Sequence, residues 1–469
     1  MRRASPSAMG VDARAFEAML DEIQAAGLEV HSLMLHRRGH VVAEGFWWPY
    51  RPEQRRIMHS FAKSVTAAAV GLAIEDGRFR LGDKVISFFP EMIPAEVDPK
   101  LAALTVEDLL TMRTGHEAEV GGSLWRAIDS SWIAEFFKIP VVEEPGAKHV
   151  YSSAASYMLA AILHRATGQT LHEYLRPRIF EPLGIEGETW DVGPDGINPG
   201  GNGLSCKTVD VLKFCILHGQ KGLWNGQRLV PERWVAEATR PHESGGYGYH
   251  WQTYPGGAYA GIGLFVQMGL VLPQYDAVLA VMGAMEESAV IRPVFDRHYP
   301  TIFRDEAFEA PEADARLAER LASLAAPRRL YSRASPAAER ISGATWIAED
   351  NPMGISEVRI DCGAAACTFT LVDDGGAHTM TADIGGWREG VSTMPGRELH
   401  HGYALDGAPI VAGARWVDER TLELTWIFVG SAFRDTVVCQ VDGDHLSVDR
   451  SVNVNSAARR LPTLICRRR

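Results

Sequence analysis

A hydroxyl and a primary amine stand three residues apart at Ser60 and Lys63, in the stretch His59-Ser60-Phe61-Ala62-Lys63. On a helix, residues three apart share a face, so these two side chains can touch. The amide N–H groups and positive dipole end of a helix start favour an anionic oxygen. A lysine held in apolar surroundings is less basic, because burial disfavours its charged form. Together these features describe a serine nucleophile whose proton a lysine can take. Both residues also have ordinary uses: a serine at a helix start commonly caps it, and a lysine one turn on is commonly solvated. The pair alone is therefore weak, and its surroundings decide.

The stretch that follows, SFAKSVTAAAVGLAIED from Ser60 to Asp76, is apolar on most sides and stops at Gly77. Such a helix belongs inside a protein. Upstream, Val11 to Ala26 reads as an amphipathic helix, and Leu28 to Tyr50 alternates as a strand hairpin turning at Arg38-Gly39. Helical patterns dominate from Ser131 to Ile185, interrupted at Glu143 to Gly146. Asn198 to Gly203 is a glycine loop, and a helix spans Thr208 to His218. Strands return between Gly246 and Gly283, and a helix at about Val290 to Phe303 closes this part. Strands at both ends with helices between imply one sheet built from distant pieces, plus an inserted helical subdomain. Residues 309–341 read as a linker containing a helix. From residue 342 to 469, short alternating strands such as CTFTLVD and LELTWIFV predict a second, all-β domain.

The 469 residues carry a formal charge of −12, which argues against nucleic acid as a partner. No run approaches the length of a membrane span, and no signal-peptide core precedes Asp12, so the expected location is cytoplasmic. The six cysteines form no CxxC pair and no zinc-spaced cluster; Cys362 and Cys367 could pair across a hairpin, but free thiols are expected in a reducing compartment. HESGGYGYH, around His242, lacks the second histidine of a helical zinc motif. There is no GxSxG elbow and no phosphate-binding loop. No metal or cofactor is expected.

HSFAKSVTAAAVGLAIEDGRFRLGDKV, followed by DLLTMRTGHE, resembles the opening motif and spacer of the penicillin-recognising serine hydrolases. That group comprises class C β-lactamases, DD-peptidases and β-lactamase-like esterases. VYSSAASYMLAAILHRATGQTLHEYLRPRIFEPLGI resembles the second motif, a Tyr with Ser or Asn two residues on, which puts Tyr151 and Ser153 in it. LSCKTVDVLKFCILHGQKGLWNGQRLVPERWV resembles the segment that follows. The likeness runs from about Phe16 to Phe303, so residues 1–308 are expected to form the hydrolase domain. It implies an α+β fold: an antiparallel sheet flanked by helices, with an inserted all-helical subdomain, followed here by a small all-β, barrel-like domain. It also implies that Ser60 attacks, that Lys63 and the Tyr151 oxygen relay the proton, and that Ser153 supports them.

The family's third motif, a Lys-Thr-Gly or His-x-Gly strand beside the nucleophile, falls in AYAGIGLFVQMGLVLPQYDAVLAV at Gly261-Ile262-Gly263, without Lys or His. Glycines there let a backbone approach closely. The N–H of Leu264 with that of Ser60 would form the oxyanion hole, where losing one donor typically costs ~3 kcal/mol. Without the third-motif cation, a substrate carboxylate lacks that partner. The resemblance thus implies an esterase or amidase for neutral, fairly apolar small molecules ahead of a β-lactamase or D-amino-acid peptidase. A catalytically inactive binding module on the same fold is the rival from another class. The C-terminal domain carries no catalytic constellation; capping the cleft, binding substrate and supporting a homodimer all remain open to it.

Overall fold

The structure, a computed structural model, describes residues 1–242, 245–325, 332 and 335–469. The chain divides into two compact units, Met1–Trp47 with Arg51–Leu324, and Trp48–Tyr50 with Ala325–Arg469.

In the first unit, helix α1 (Ala13–Ala25) is capped by the Asp12 carboxylate, which accepts from the Arg14 and Ala15 amides. Strands β1 (Val30–Arg37) and β2 (His40–Phe46) form the predicted hairpin, with Arg38 and Gly39 at positive φ in its turn. The buried helix is α2 (Phe61–Glu75), and α3 (Ser153–Thr167) and α4 (Thr208–Gly219) follow. Strands β3 (Tyr259–Gly263), β4 (Gln267–Leu272) and β5 (Ala277–Gly283) complete the sheet. β5 pairs with β1, Ala277 opposite Arg37, so the sheet order is Arg2–Arg3, β2, β1, β5, β4, β3, Gln252–Thr253. Every pairing is antiparallel except the parallel contact of Arg2–Arg3 with β2.

The sheet has apolar cores on both faces. One lies against α1, α5 (Arg292–Ile302) and α6 (Pro311–Ala322), with Phe16, Leu33, Leu270, Phe295 and Leu317 buried in it. The other joins the sheet to α2, α3 and α4. Within α2, Gly71 has a steric role: a side chain there would run into the Trp234 indole. Glycine's usual penalty inside a helix is accepted at this close approach.

Part of the segment read as linker belongs to this unit. α6 packs its Leu317 and Leu321 onto the sheet, because its apolar residues recur at i and i+4 on one face. Residues 326–331, 333 and 334 of the expected linker lie outside the described residues.

In the second unit, α7 (Ala337–Ile341) precedes strands β6 (Ala344–Ala348), β7 (Glu357–Cys362), β8 (Ala366–Asp373), β9 (Gly376–Ile384), β10 (Arg388–Ser392), β11 (Ala408–Trp416), β12 (Thr421–Phe428), β13 (Arg434–Asp442), β14 (His445–Val452) and β15 (Leu464–Arg468). They pair in the order β9, β8, β7, β6, β15, β14, β13, β12, β11, β10, and a parallel β9–β11 contact closes nine of them into a barrel. Its interior holds Trp346, Phe369, Leu424, Trp426 and Val437. Cys362 and Cys367 sit directly opposite each other across β7 and β8, with Cα atoms 4.0 Å apart, and are joined as a disulfide. This overturns the expectation of free thiols: a facing strand pair already holds the two side chains at bonding distance. The other four cysteines are free and buried. Among the described residues no helix is long and apolar enough to cross a membrane.

Candidate active site

The chain enters α2 through His59, whose φ is +48, and this sharp entry presents Ser60 at the helix start. Ser60 makes no side-chain cap bond. Its Oγ instead lies 3.1 Å from the Nζ of Lys63, which is 1% exposed. The hydroxyl is thus not spent on capping, nor the lysine on solvent.

The Lys63 ammonium donates to three oxygens: Ser60 Oγ at 3.1 Å, Ser153 Oγ at 3.1 Å and the Gly201 carbonyl at 3.0 Å. Its surroundings at this end are therefore oxygens, not the apolar wall expected from the helix pattern. Three donors meet three acceptors, which fixes Nζ between the two hydroxyls. For Lys63 to take a proton from Ser60, the shortest rearrangement is reversal of one contact, with the Ser60 O–H donating to a neutral amine.

Ser153 stands at the first position of α3, whose N-cap is Ser152, with its Oγ accepting from the Ala155 amide. The third acceptor comes from the glycine loop. A Cβ at Gly201 would lie 3.3 Å from Lys63 Nζ and 3.2 Å from the Ser153 carbonyl; one at Gly200 would lie 2.6 Å from the Ser156 carbonyl. Thr66 Oγ1 donates to the Gly200 carbonyl at 2.7 Å, and Trp190 Nε1 to the Asn202 carbonyl at 2.8 Å, so both sides brace the loop. Arg126 reaches it as well, donating to Asn202 Oδ1 at 2.9 Å.

Tyr151 is half-buried and turns its ring face to Lys63, with Nζ 4.7 Å from the ring centroid. The amine thus meets a π face as well as its three oxygens. The buried Tyr247 packs edge-on at 6.5 Å; burial first, and the Tyr151 oxygen second, push its phenol well above the usual range, so it stays protonated.

Strand β3 runs beside this turn. A side chain at Gly261 would meet Ser64 Oγ and the Phe61 ring within 3 Å, and one at Gly263 would run into the Met58 carbonyl. Ile262, between them, is therefore level with the His59–Ser60 turn. The Ala258 carbonyl accepts from Tyr254 on the Gln252–Thr253 side, and the Gly263 carbonyl accepts from Ser288 on the opposite side. Alternation along the strand then directs the Ile262 amide to the same edge as the Ala258 carbonyl, beyond the Gln252 end of that pairing. Leu264 lies beyond the strand end, in a turn where Phe265 and Val266 both have positive φ, 63° and 68°. A β-branched residue in that region is a marked outlier. Trp251 is 1% exposed and stacks on Phe214, and Trp125 packs against Trp132, so both serve the core.

Two participants escaped the sequence. The Gly201 carbonyl was visible only as a glycine loop. His250 gave no signal, and its bonds reach Ser64 and Ser156, far away in the chain. Glu107, Glu237 and His242 bring potential ligand atoms within 4.8 Å of one another, but Arg240 pairs with Glu237 and Tyr249 donates to Glu107. Protein groups already serve those carboxylates, so the trio does not read as a metal site.

The Beta-lactamase family matches residues 13–292, more than half of the chain. A protein of Salmonella agona, strain SL483, provisionally named D-alanyl-D-alanine carboxypeptidase, is 22% identical over 224 residues, 42% of this chain and 52% of its own. The chain thus spans about half the length of that relative. Among solved structures, a Bacillus anthracis protein provisionally named 6-aminohexanoate-dimer hydrolase superposes with a TM-score of 0.54 at 18% identity, covering 64% of this chain and 86% of its own. EstCE1, described as a hydrolase with promiscuous acyltransferase activity, gives 0.51 at 16% identity, covering 61% and 98%. At these identities the structural likeness shows the fold.

Proposed function

Because the chain belongs to the Beta-lactamase family of serine hydrolases, we propose that it hydrolyses esters or amides of neutral, fairly apolar acyl groups through an acyl-enzyme on Ser60. The observation that carries this is the non-capping Ser60 hydroxyl, 3.1 Å from a Lys63 that is buried and held on three oxygens. Ser60 Oγ adds to the substrate carbonyl while its proton passes to Lys63, and Ser153 keeps the amine in place. Tyr151, in contact with Lys63, hands a proton to the leaving group; the bond to the leaving group breaks and the acyl-enzyme remains. Water then adds to the acyl carbonyl, losing its proton to the same relay, and the acid departs.

The oxyanion would sit between the amides of Ser60 and Ile262. Ile262 takes the part expected of Leu264, because its N–H faces the open edge level with the nucleophile. Ala258, with Tyr259 and Ala260 at the start of strand β3, precedes Gly261, and none of the three is charged, which favours a neutral substrate.

A second reading, an amidase or peptidase for acid-bearing substrates, has one observation in its favour: Arg126 places a cation at the glycine loop. That charge also acts on Asp191, whose carboxyl desolvation raises and the Arg126 charge lowers. Matched p-nitrophenyl esters with and without a terminal carboxylate separate the two, with faster turnover of the neutral ester expected. Ser60→Ala should abolish turnover and fluorophosphonate labelling together; undiminished hydrolysis of p-nitrophenyl butyrate by that variant would sink the assignment.

A further inference from the structure

His250 is buried at 2% exposure and has φ +59, a left-handed conformation that a residue with a large side chain adopts only where its surroundings demand it. Three of its four polar groups bond to three separate pieces of the unit. The amide lies 3.3 Å from the Leu110 carbonyl, within hydrogen-bonding reach. The carbonyl accepts from Ser64 Oγ at 2.7 Å, and Ser64 follows Lys63 on α2. The ring Nε2 bonds Ser156 Oγ at 3.0 Å, and Ser156 lies one turn beyond Ser153 on α3. One residue therefore holds the helix that carries Ser60 and Lys63 and the helix that carries Ser153.

That spacing is the distance Lys63 must bridge, since its Nζ reaches both Ser60 and Ser153 at 3.1 Å. A small shift of one helix against the other would break one of these contacts. The backbone and the ring also have different partners, so they can be separated by mutation: glycine keeps the left-handed turn and the carbonyl bond to Ser64, and removes the ring with its tie to Ser156.

Resting on the serine-hydrolase reading above, we infer that His250 is a positioning residue whose imidazole, through Ser156, sets the spacing of the nucleophile helix and the Ser153 helix. The groups facing it are consistent with a neutral ring. Lys63, His149, Tyr151 and Tyr247 gather on this side, and burial, then the Lys63 charge, lowers the imidazole to about 3. Nδ1 has no hydrogen-bond partner among the described residues, so no acceptor on that side calls for a second proton.

The test compares the full-length wild type with His250→Gly, His250→Gln, Ser156→Ala and the double variant His250→Gly/Ser156→Ala. Steady-state hydrolysis of p-nitrophenyl butyrate, thermal unfolding and amide hydrogen exchange are measured on each. His250→Gly should unfold near the wild-type temperature yet lose roughly tenfold to a hundredfold in kcat, the range a misplaced catalytic group gives, with KM within about twofold. Ser156→Ala should match that loss, the double variant should be no worse than either single one, and glutamine, which can reach Ser156, should restore most of the rate. Exchange should quicken together in residues 61–66 and 153–158.

An unchanged kcat in His250→Gly, or additive losses in the double variant, would overturn the inference. If the wild type shows no turnover that depends on Ser60, the hydrolase reading fails by itself. The exchange data then decide the helix tie: joint loss of protection in both segments upholds it, and unchanged protection refutes it.

Discussion

Lys63→Met is the substitution that separates chemistry from architecture most sharply. Methionine keeps most of the stem volume in a position that is 1% exposed and removes the charge with its three hydrogen bonds. Charge-assisted bonds contribute about 1.5–3 kcal/mol each, so their loss alone would be severe. Against it stands the removal of a buried ammonium, whose desolvation costs several kcal/mol. Ser60 and Ser153 can also turn their hydroxyls toward other acceptors, which leaves the Gly201 carbonyl as the principal orphan, at about 1–3 kcal/mol. These opposing effects leave net stability within about 2 kcal/mol of the wild type. The chemical step has no such compensation. Loss of a positioned base typically costs 10²–10⁴-fold, or about 2.7–5.4 kcal/mol of barrier. Urea denaturation should therefore give a folded protein, while p-nitrophenyl butyrate hydrolysis and fluorophosphonate labelling fall by at least roughly a hundredfold. Turnover within a factor of about ten of the wild type would refute the argument, because no base on Lys63 would then be needed.

Gly71→Ala should destabilise the first unit by about 1–3 kcal/mol, since the added methyl meets the Trp234 indole and overpacking outweighs alanine's helix advantage of up to ~1 kcal/mol. A urea midpoint equal to or above the wild type's would contradict this. Stability should also fall on mild acidification. Burial lowers His36, His116 and His218 to about 4 and His250 to about 3, below the unfolded value near 6.5. Below pH 6.5 the unfolded chain takes up protons that the folded one refuses, so stability is full above about 6.5 and declines toward 4, by up to about 1.4 kcal/mol per pH unit for each histidine. Denaturant midpoints at pH 7.5 and pH 5 measure the decline, and His218→Gln should make it shallower; equal midpoints would exclude it.

Ser60 and Lys63 were legible in the sequence because helical spacing alone puts them on one face, and the apolar run behind them could only be an interior helix. What spacing could not say is whether Ser60 caps that helix, since a cap and a nucleophile look identical in one dimension. The difference lies in a rotamer and a neighbouring amine. The glycines of the 198–203 loop were visible, but their purpose, a carbonyl brought against Lys63, depends on contact with Ser153 and Ser156 from another helix. His250 was illegible for the same reason: each of its partners is set by tertiary packing. The second-domain strands were plain from their alternation, whereas β9 meeting β11 to close the barrel is a long-range event that no local pattern encodes. The helix at 311–322 was recognisable as a helix, whereas its packing onto the sheet was not, because amphipathicity reveals a buried face without naming what buries it.

The pairing of β5 with β1, which sets Ala277 against Arg37, has a consequence in time. Almost the whole first unit must be synthesised and gathered before its sheet can form, and loop closure across so long a stretch slows folding. Ser60 can meet Lys63 as soon as one helical turn exists. Strand β3, whose Gly261 and Gly263 lie against the start of α2, comes into place only with that late pairing. Ser60 and Lys63 would then meet early and the strand beside them would arrive late, so a half-folded chain holds the serine and its amine without β3 alongside.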